Sequence, residues 1–110
     1  MAMELKEESN YKAIPTEVTI GGQHLNVENI PTITDDRLGQ CSVAEGYIRI
    51  AETFNGKIHS DSSKRNTFYH EVTHCILDTM GEFELSANEK FVSCFSAFLT
   101  EAMRKAVFKE

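Results

Sequence analysis

The chain has 110 residues, 41% of them apolar and 25% charged, which is the balance of one globular domain with a modest core rather than of a disordered or fibrous protein. Its 17 acidic and 11 basic residues leave a formal charge of −6, so it has no general attraction to nucleic acid or to an anionic membrane, and neither is expected as a partner. No run approaches the roughly 18 apolar residues of a membrane span, and the N-terminal residues lack the apolar core of a signal peptide. Cys41, Cys75 and Cys94 are widely spaced and form no C-x-x-C pair, so they read as reduced thiols of a cytoplasmic protein.

Residues 1–13 are polar and aperiodic and read as a flexible arm, leaving 14–110 as a single domain. Thr16 to Ile20 has the pattern of a short strand, Gly21-Gly22 is a hairpin signal, and His24 to Ile30 is the return strand, stopped by Pro31. Residues 32–40 are polar and read as a loop. Gln40 to Val43 and Tyr47 to Ala51 follow as strands around the turn Ala44-Glu45-Gly46, with Ile48 and Ile50 on one face and Tyr47 and Arg49 on the other. Asn55-Gly56 closes the β region.

Helical periodicity begins near Ser60, where Ser60, Asp61 and Ser62 are all competent N-caps. Phe68, Val72, Cys75, Ile76 and Thr79 recur at helical spacing as an expected inward face, and Gly81 suits a left-handed terminus. A second long helix is expected from about residue 87 to 108, with Phe91, Phe95, Phe98 and Ala102 as its inward stripe. The expected fold is α+β: a small antiparallel sheet of three or four strands, then two long helices.

The first helix contains His70-Glu71-Val72-Thr73-His74, an H-E-x-x-H motif. Histidines four residues apart project from one side of a helix and can share a divalent ion. Glu71, beside the first histidine, is placed to take a proton from a water polarised by that ion, as a general base. A catalytic zinc takes three protein ligands, so a third donor is required. Glu89, early in the second helix, is one candidate. Its other reading is a capping box, Ser86-Ala87-Asn88-Glu89, in which Glu89 only reaches back to the Ser86 amide. Asp78, one turn after His74, is a ligand, an acceptor for a histidine N–H, or simply a polar residue near the helix end. Cys41 is a further candidate, without the longer cysteine pattern of peptide deformylases. His24 and His59 read as solvated side chains. A metzincin is excluded, since its required glycine and third ligand fall on Leu77 and Met80.

The block from Thr67 to Leu99 resembles the small gluzincins, in particular phage- and prophage-encoded metallopeptidases related to the ImmA/IrrE group. The matching residues are His70-Glu71-Val72-Thr73-His74, Ile76-Leu77-Asp78, Gly81 and Asn88-Glu89-Lys90-Phe91-Val92. The resemblance implies a minimal zincin-like domain with one Zn²⁺ per chain on His70, His74 and Glu89. It also implies Glu71 as general base, a peptide or protein substrate, and Tyr47 to Ala51 as the edge strand beside the metal. It covers the last 65 residues or so and leaves the N-terminal third unmatched. The expected function is zinc-dependent peptide hydrolysis. The alternative is a non-catalytic binding or regulatory protein that keeps zinc as a structural clip. Tyr47, Tyr69 and His59 are candidates for stabilising an oxyanion, and their spacing does not choose among them.

Overall fold

The computed structural model describes residues 14–35 and 37–109; the expected arm, 1–13, lies outside them. Strands β1 (Glu17–Ile20), β2 (Gln23–Ile30), β3 (Gly39–Ser42) and β4 (Tyr47–Ala51) form one sheet in the order β1-β2-β4-β3. A small hairpin, β5 (Thr53–Phe54) and β6 (Lys57–Ile58), leads into helix α1 (Asp61–Met80). A short helix, α2 (Phe83–Ser86), and a long one, α3 (Glu89–Lys105), complete the α+β fold. None of these helices is long and apolar enough to cross a membrane.

The sheet is mixed rather than wholly antiparallel, because β2 pairs with β4 in parallel. After Ile30 the chain crosses to the far edge, forms β3, and turns back as β4 into the gap beside β2. Parallel neighbours need such a crossover, and here a loop and a strand supply it instead of a helix. This overturns the expectation that Tyr47–Ala51 is an edge strand. β4 is central, with Ile48 and Ile50 fully buried, and among the described strands the edge beyond it is β3.

Alternation gives the sheet one apolar face. Val18 lies beside Leu25, Val27 beside Ile48, and Ile48 beside Cys41. Leu25, Ile48, Ile50, Phe68 and Cys75 form the core. The opposite face is polar: Arg49 Nε donates to Glu28 Oε1 at 3.0 Å, and its guanidinium lies 3.8 Å above the Tyr47 ring. At one end Gly21 and Gly22 have φ of 58° and 81°, the left-handed pair a tight hairpin requires.

Ser60 is the cap that α1 uses, its hydroxyl accepting from the Ser63 amide at 3.2 Å. Gly81, at φ 80°, ends the helix as the spacing predicts, with the Glu82 amide donating to Leu77 O. Between these ends α1 packs on the sheet with one side and on α2 and α3 with the other. Burial therefore follows two stripes. Thr67, Phe68, Glu71 and Cys75 meet the sheet side, whereas Thr73 and Leu77 are buried nearly opposite them. Ile76 and Thr79, expected inside, are exposed, Ile76 because it projects from the flank between the stripes.

The expected stripe on α3 is also corrected. Val92 and Ser96 are fully buried, while Phe95 and Phe98 are 47% and 72% exposed. α3 packs on α1 and α2, so one narrow seam is covered, and among the described residues no further layer lies over the aromatic face. The helix begins at Glu89 under an Asn88 cap and stops at Lys105, short of the expected 108. These placements predict that Ile48→Ala costs about 2–5 kcal/mol in urea denaturation. Phe98→Ser, on the uncovered face, changes stability by less than about 0.5 kcal/mol.

Candidate metal centre

His70 and His74 lie one turn apart on α1, with ring centroids 5.0 Å apart. The Gly81 terminus turns the chain through α2, and the Asn88 cap starts α3 with Glu89 as its first residue. Asn88 Oδ1 accepts from the Phe91 amide at 3.1 Å, which fixes the direction of that first turn. Glu89 thereby faces α1, with Oε1 3.3 Å from His70 Nε2 and Oε2 3.4 Å from His74 Nε2. The three donor atoms lie within 4.8 Å of one another.

Taken singly, each oxygen-to-nitrogen separation is that of two donors sharing a zinc ion. Donors about 2.1 Å from a tetrahedral ion stand about 3.4 Å from each other. The donor set of two imidazoles and one carboxylate suits Zn²⁺ among the common divalent ions. Among the described residues no fourth His, Cys, Asp or Glu joins the group, so a zinc held here keeps one position for another ligand.

Ser86 was read from the sequence only as a helix cap, and its place is different. It ends α2, is buried, and its hydroxyl lies 3.0 Å from His74 Nδ1. With Nδ1–H donating to that hydroxyl, the lone pair of His74 is left on Nε2, toward Glu89. The capping-box reading of Glu89 falls with it, since Asn88 caps α3. Nothing in sequence spacing links Ser86 to a histidine twelve residues earlier; a buried hydroxyl beside the helix turn is the only trace.

Glu71 lies on the flank of α1 next to the histidines, turned toward the sheet, and is 8% exposed. Its seat is β3. A Cβ on Gly39 would stand 3.1 Å from both Cγ and Oε2 of Glu71, and 2.5 Å from Thr67 Cγ2. Cys41 lies two residues along the same face of β3, opposite Ile48. Burial holds the Glu71 carboxyl above its ordinary range, partly offset by Cys41 and by His70 and His74. The Cys41 thiol is itself pushed far up, first by Cys75 and then by burial, so it is a protonated thiol rather than a thiolate ligand. Neither Cys41 nor Asp78 belongs to the donor group.

The remaining candidates are engaged elsewhere. His59, expected in solvent, is buried: its Nδ1 lies 2.6 Å from Ala51 O and its Nε2 2.9 Å from Ser63 Oγ. Tyr47 lies under Arg49, and Tyr69 packs edge-on against Phe68 with centroids 5.1 Å apart. His24 is solvated, 3.5 Å from Glu17. Comparison of the chain with protein-family models, curated proteins and solved structures gives no match.

Two outcomes follow from this geometry. Ser86→Ala weakens zinc affinity by about 10- to 100-fold in competition with a chromophoric chelator, with the fold retained. In the metal-free protein Glu71→Gln is more thermally stable than wild type at neutral pH. The folded-state pKa of Glu71 lies above its unfolded value, so its contribution is fully present below the unfolded value and is lost as pH rises through the folded one. The stability gap between the two proteins should close near pH 4, about the unfolded value of a glutamate.

Proposed function

We propose that this chain is a zinc-dependent hydrolase, in its simplest form a small peptidase, with His70, His74 and Glu89 as metal ligands and Glu71 as general base. The observation that carries this reading is the pair of 3.3 and 3.4 Å separations by which one carboxylate spans both Nε2 atoms. A buried glutamate one residue from the first histidine accompanies it. A bound zinc would supply acidification of water and neutralisation of charge on an oxyanion.

The residues of the chain do the rest. Glu71 lies in the field of His70, His74 and Glu89 and is shielded from bulk water. A carboxylate whose affinity for protons is raised in this way is a better base near neutral pH. It takes the proton of the attacking water and returns it to the leaving amine. Ser86 holds the His74 ring in one tautomer through that cycle. Glu89 is 67% exposed at its side chain, so the donor group opens to solvent on the α3 side and a substrate has access.

The outer edge of β3, unpaired among the described strands, offers a place for an extended peptide. The Ala51 amide donates to Leu38 O at 2.9 Å, which sets the alternation of the β3–β4 ladder. Gln40 and Ser42 then bond to β4, and the main-chain groups of Gly39 and Cys41 point outward. A substrate strand pairing there would run beside the residues that seat Glu71.

The non-catalytic zinc clip is the second reading. It predicts a closed site, and the donor group provides three ligands rather than four among the described residues. The test separates the two. Purified protein should carry about one zinc per chain, lost in His70→Ala and in Glu89→Ala. Glu71→Gln should keep the metal and lose about 100-fold or more of the hydrolysis of an unstructured protein such as casein. A zinc-loaded wild type that cleaves no faster than Glu71→Gln refutes the enzyme and leaves the clip.

A further inference from the structure

We infer that α3 carries a self-docking surface: two copies of this chain pair antiparallel through the stripe of Phe91, Phe95, Phe98 and Ala102. These residues recur at alternating spacings of four and three, the a/d repeat by which one helix seats against another. The stripe lies roughly 110° round the helix from the buried Val92–Ser96 seam, so it is a second apolar face and not the margin of the first. A surface helix ordinarily turns a polar face outward. Here the rings are already ordered against each other, Phe91 and Phe95 stacking with centroids 5.7 Å apart and planes at 17°. A face ordered in advance loses little freedom on association.

Area and charge both point to a second copy. Phe83 and Phe108 stand before and after α3 in the chain, and with Phe95 and Phe98 they are 47–72% exposed. At ~200 Å² per phenylalanine these four rings expose roughly 500 Å² per copy. A standard interface covers about 800 Å² per partner, about 65% of it apolar in homodimers, so the two figures agree. The charges fix the direction. Glu82 and Glu84 precede α3, and Arg104 and Lys105 close it; all four are exposed, and among the described residues none is in an ion pair. A parallel pair would bring like charges together at both ends. An antiparallel pair sets the acidic end of each copy against the basic end of the other and opposes the two helix dipoles. A two-fold axis then layers Phe95 on Phe98 twice, with the small Ala102 across from Phe91. Glu89 lies on the far side of the Val92–Ser96 seam, so the His70–His74–Glu89 cluster stays open in such a pair.

The test is sedimentation equilibrium of the full chain between about 2 and 200 µM, in reducing buffer because Cys94 on α3 is exposed. We expect a mass that rises from 12.4 kDa to twice that value, with a dissociation constant on the order of 10 µM. Phe98→Ser, which spares the single chain, should raise that constant about 100-fold, because a two-fold interface loses the ring twice. Ala102→Glu carries the same expectation. Glu82→Lys/Glu84→Lys and Arg104→Glu/Lys105→Glu should each weaken self-association about tenfold, and an equimolar mixture of the two should pair to within about threefold of wild type. Far-UV circular dichroism checks the fold of each variant. A chain that stays single at the highest concentration overturns the inference, whether residues 1–13 or a partner of another sequence takes the face. So does a dimer that stays as tight as wild type in the folded Phe98→Ser and Ala102→Glu proteins, or in both charge variants. The readout is mass and not hydrolysis, so the outcome is independent of the proposed zinc chemistry.

Discussion

Helix α1 is buried on two sides at once, and that constraint organises the molecule. Its sheet side carries Phe68 and Cys75 into the core, and Glu71 rides on the same side into a place where a charge is poorly solvated. Its other side meets α2 and α3 and carries His70 and His74. A helix packed on one layer would leave either Glu71 or the histidines in open solvent. Between two layers, a single turn of helix sets His70 and His74 beside Glu89 and Glu71 against β3.

The anchoring of α1 shows how such a polar helix is held. At its start, His59 ties Ala51 O of the central strand to Ser63 in the first helical turn, with both ring nitrogens engaged. At its end, Thr79 packs against Gly21 of the β1–β2 turn, where any Cβ would stand 2.5 Å from its methyl. Between them, Thr67 and Glu71 close on Gly39. Backbone proximity at glycines, rather than apolar area alone, sets how near the helix lies to the sheet.

The His70–His74–Glu89 cluster and Glu71 are thus supported by different elements. The turn after Gly81 decides where Ser86 and Glu89 arrive, while the β3–β4 ladder decides where Gly39 and Cys41 stand. Because α3 meets the rest of the molecule along the Val92–Ser96 seam, its Phe95 and Phe98 remain outside without loss to the core.

Local rules were sufficient for whatever depends on neighbours in the chain. The Ser60 cap, the Gly81 terminus, the Gly21-Gly22 turn, the strand over Tyr47–Ala51 and the pairing of His70 with His74 on one helix side all follow from short-range sterics and hydrogen bonding. Position made Glu89 the favoured third donor, and the resemblance, not the spacing, favours that reading over a capping box. What depends on a third dimension was not legible. Periodicity reports that a helix has an apolar face, and it cannot report how many layers will cover it; Ile76 and the α3 phenylalanines were misplaced for that reason. Strand order is set by which gap the chain fills after its crossover, so β3 and not β4 became the edge. Ser86 beside His74 and Gly39 beside Glu71 join residues twelve and thirty-two positions apart, and only the packing of α1 between its two neighbours brings them into contact.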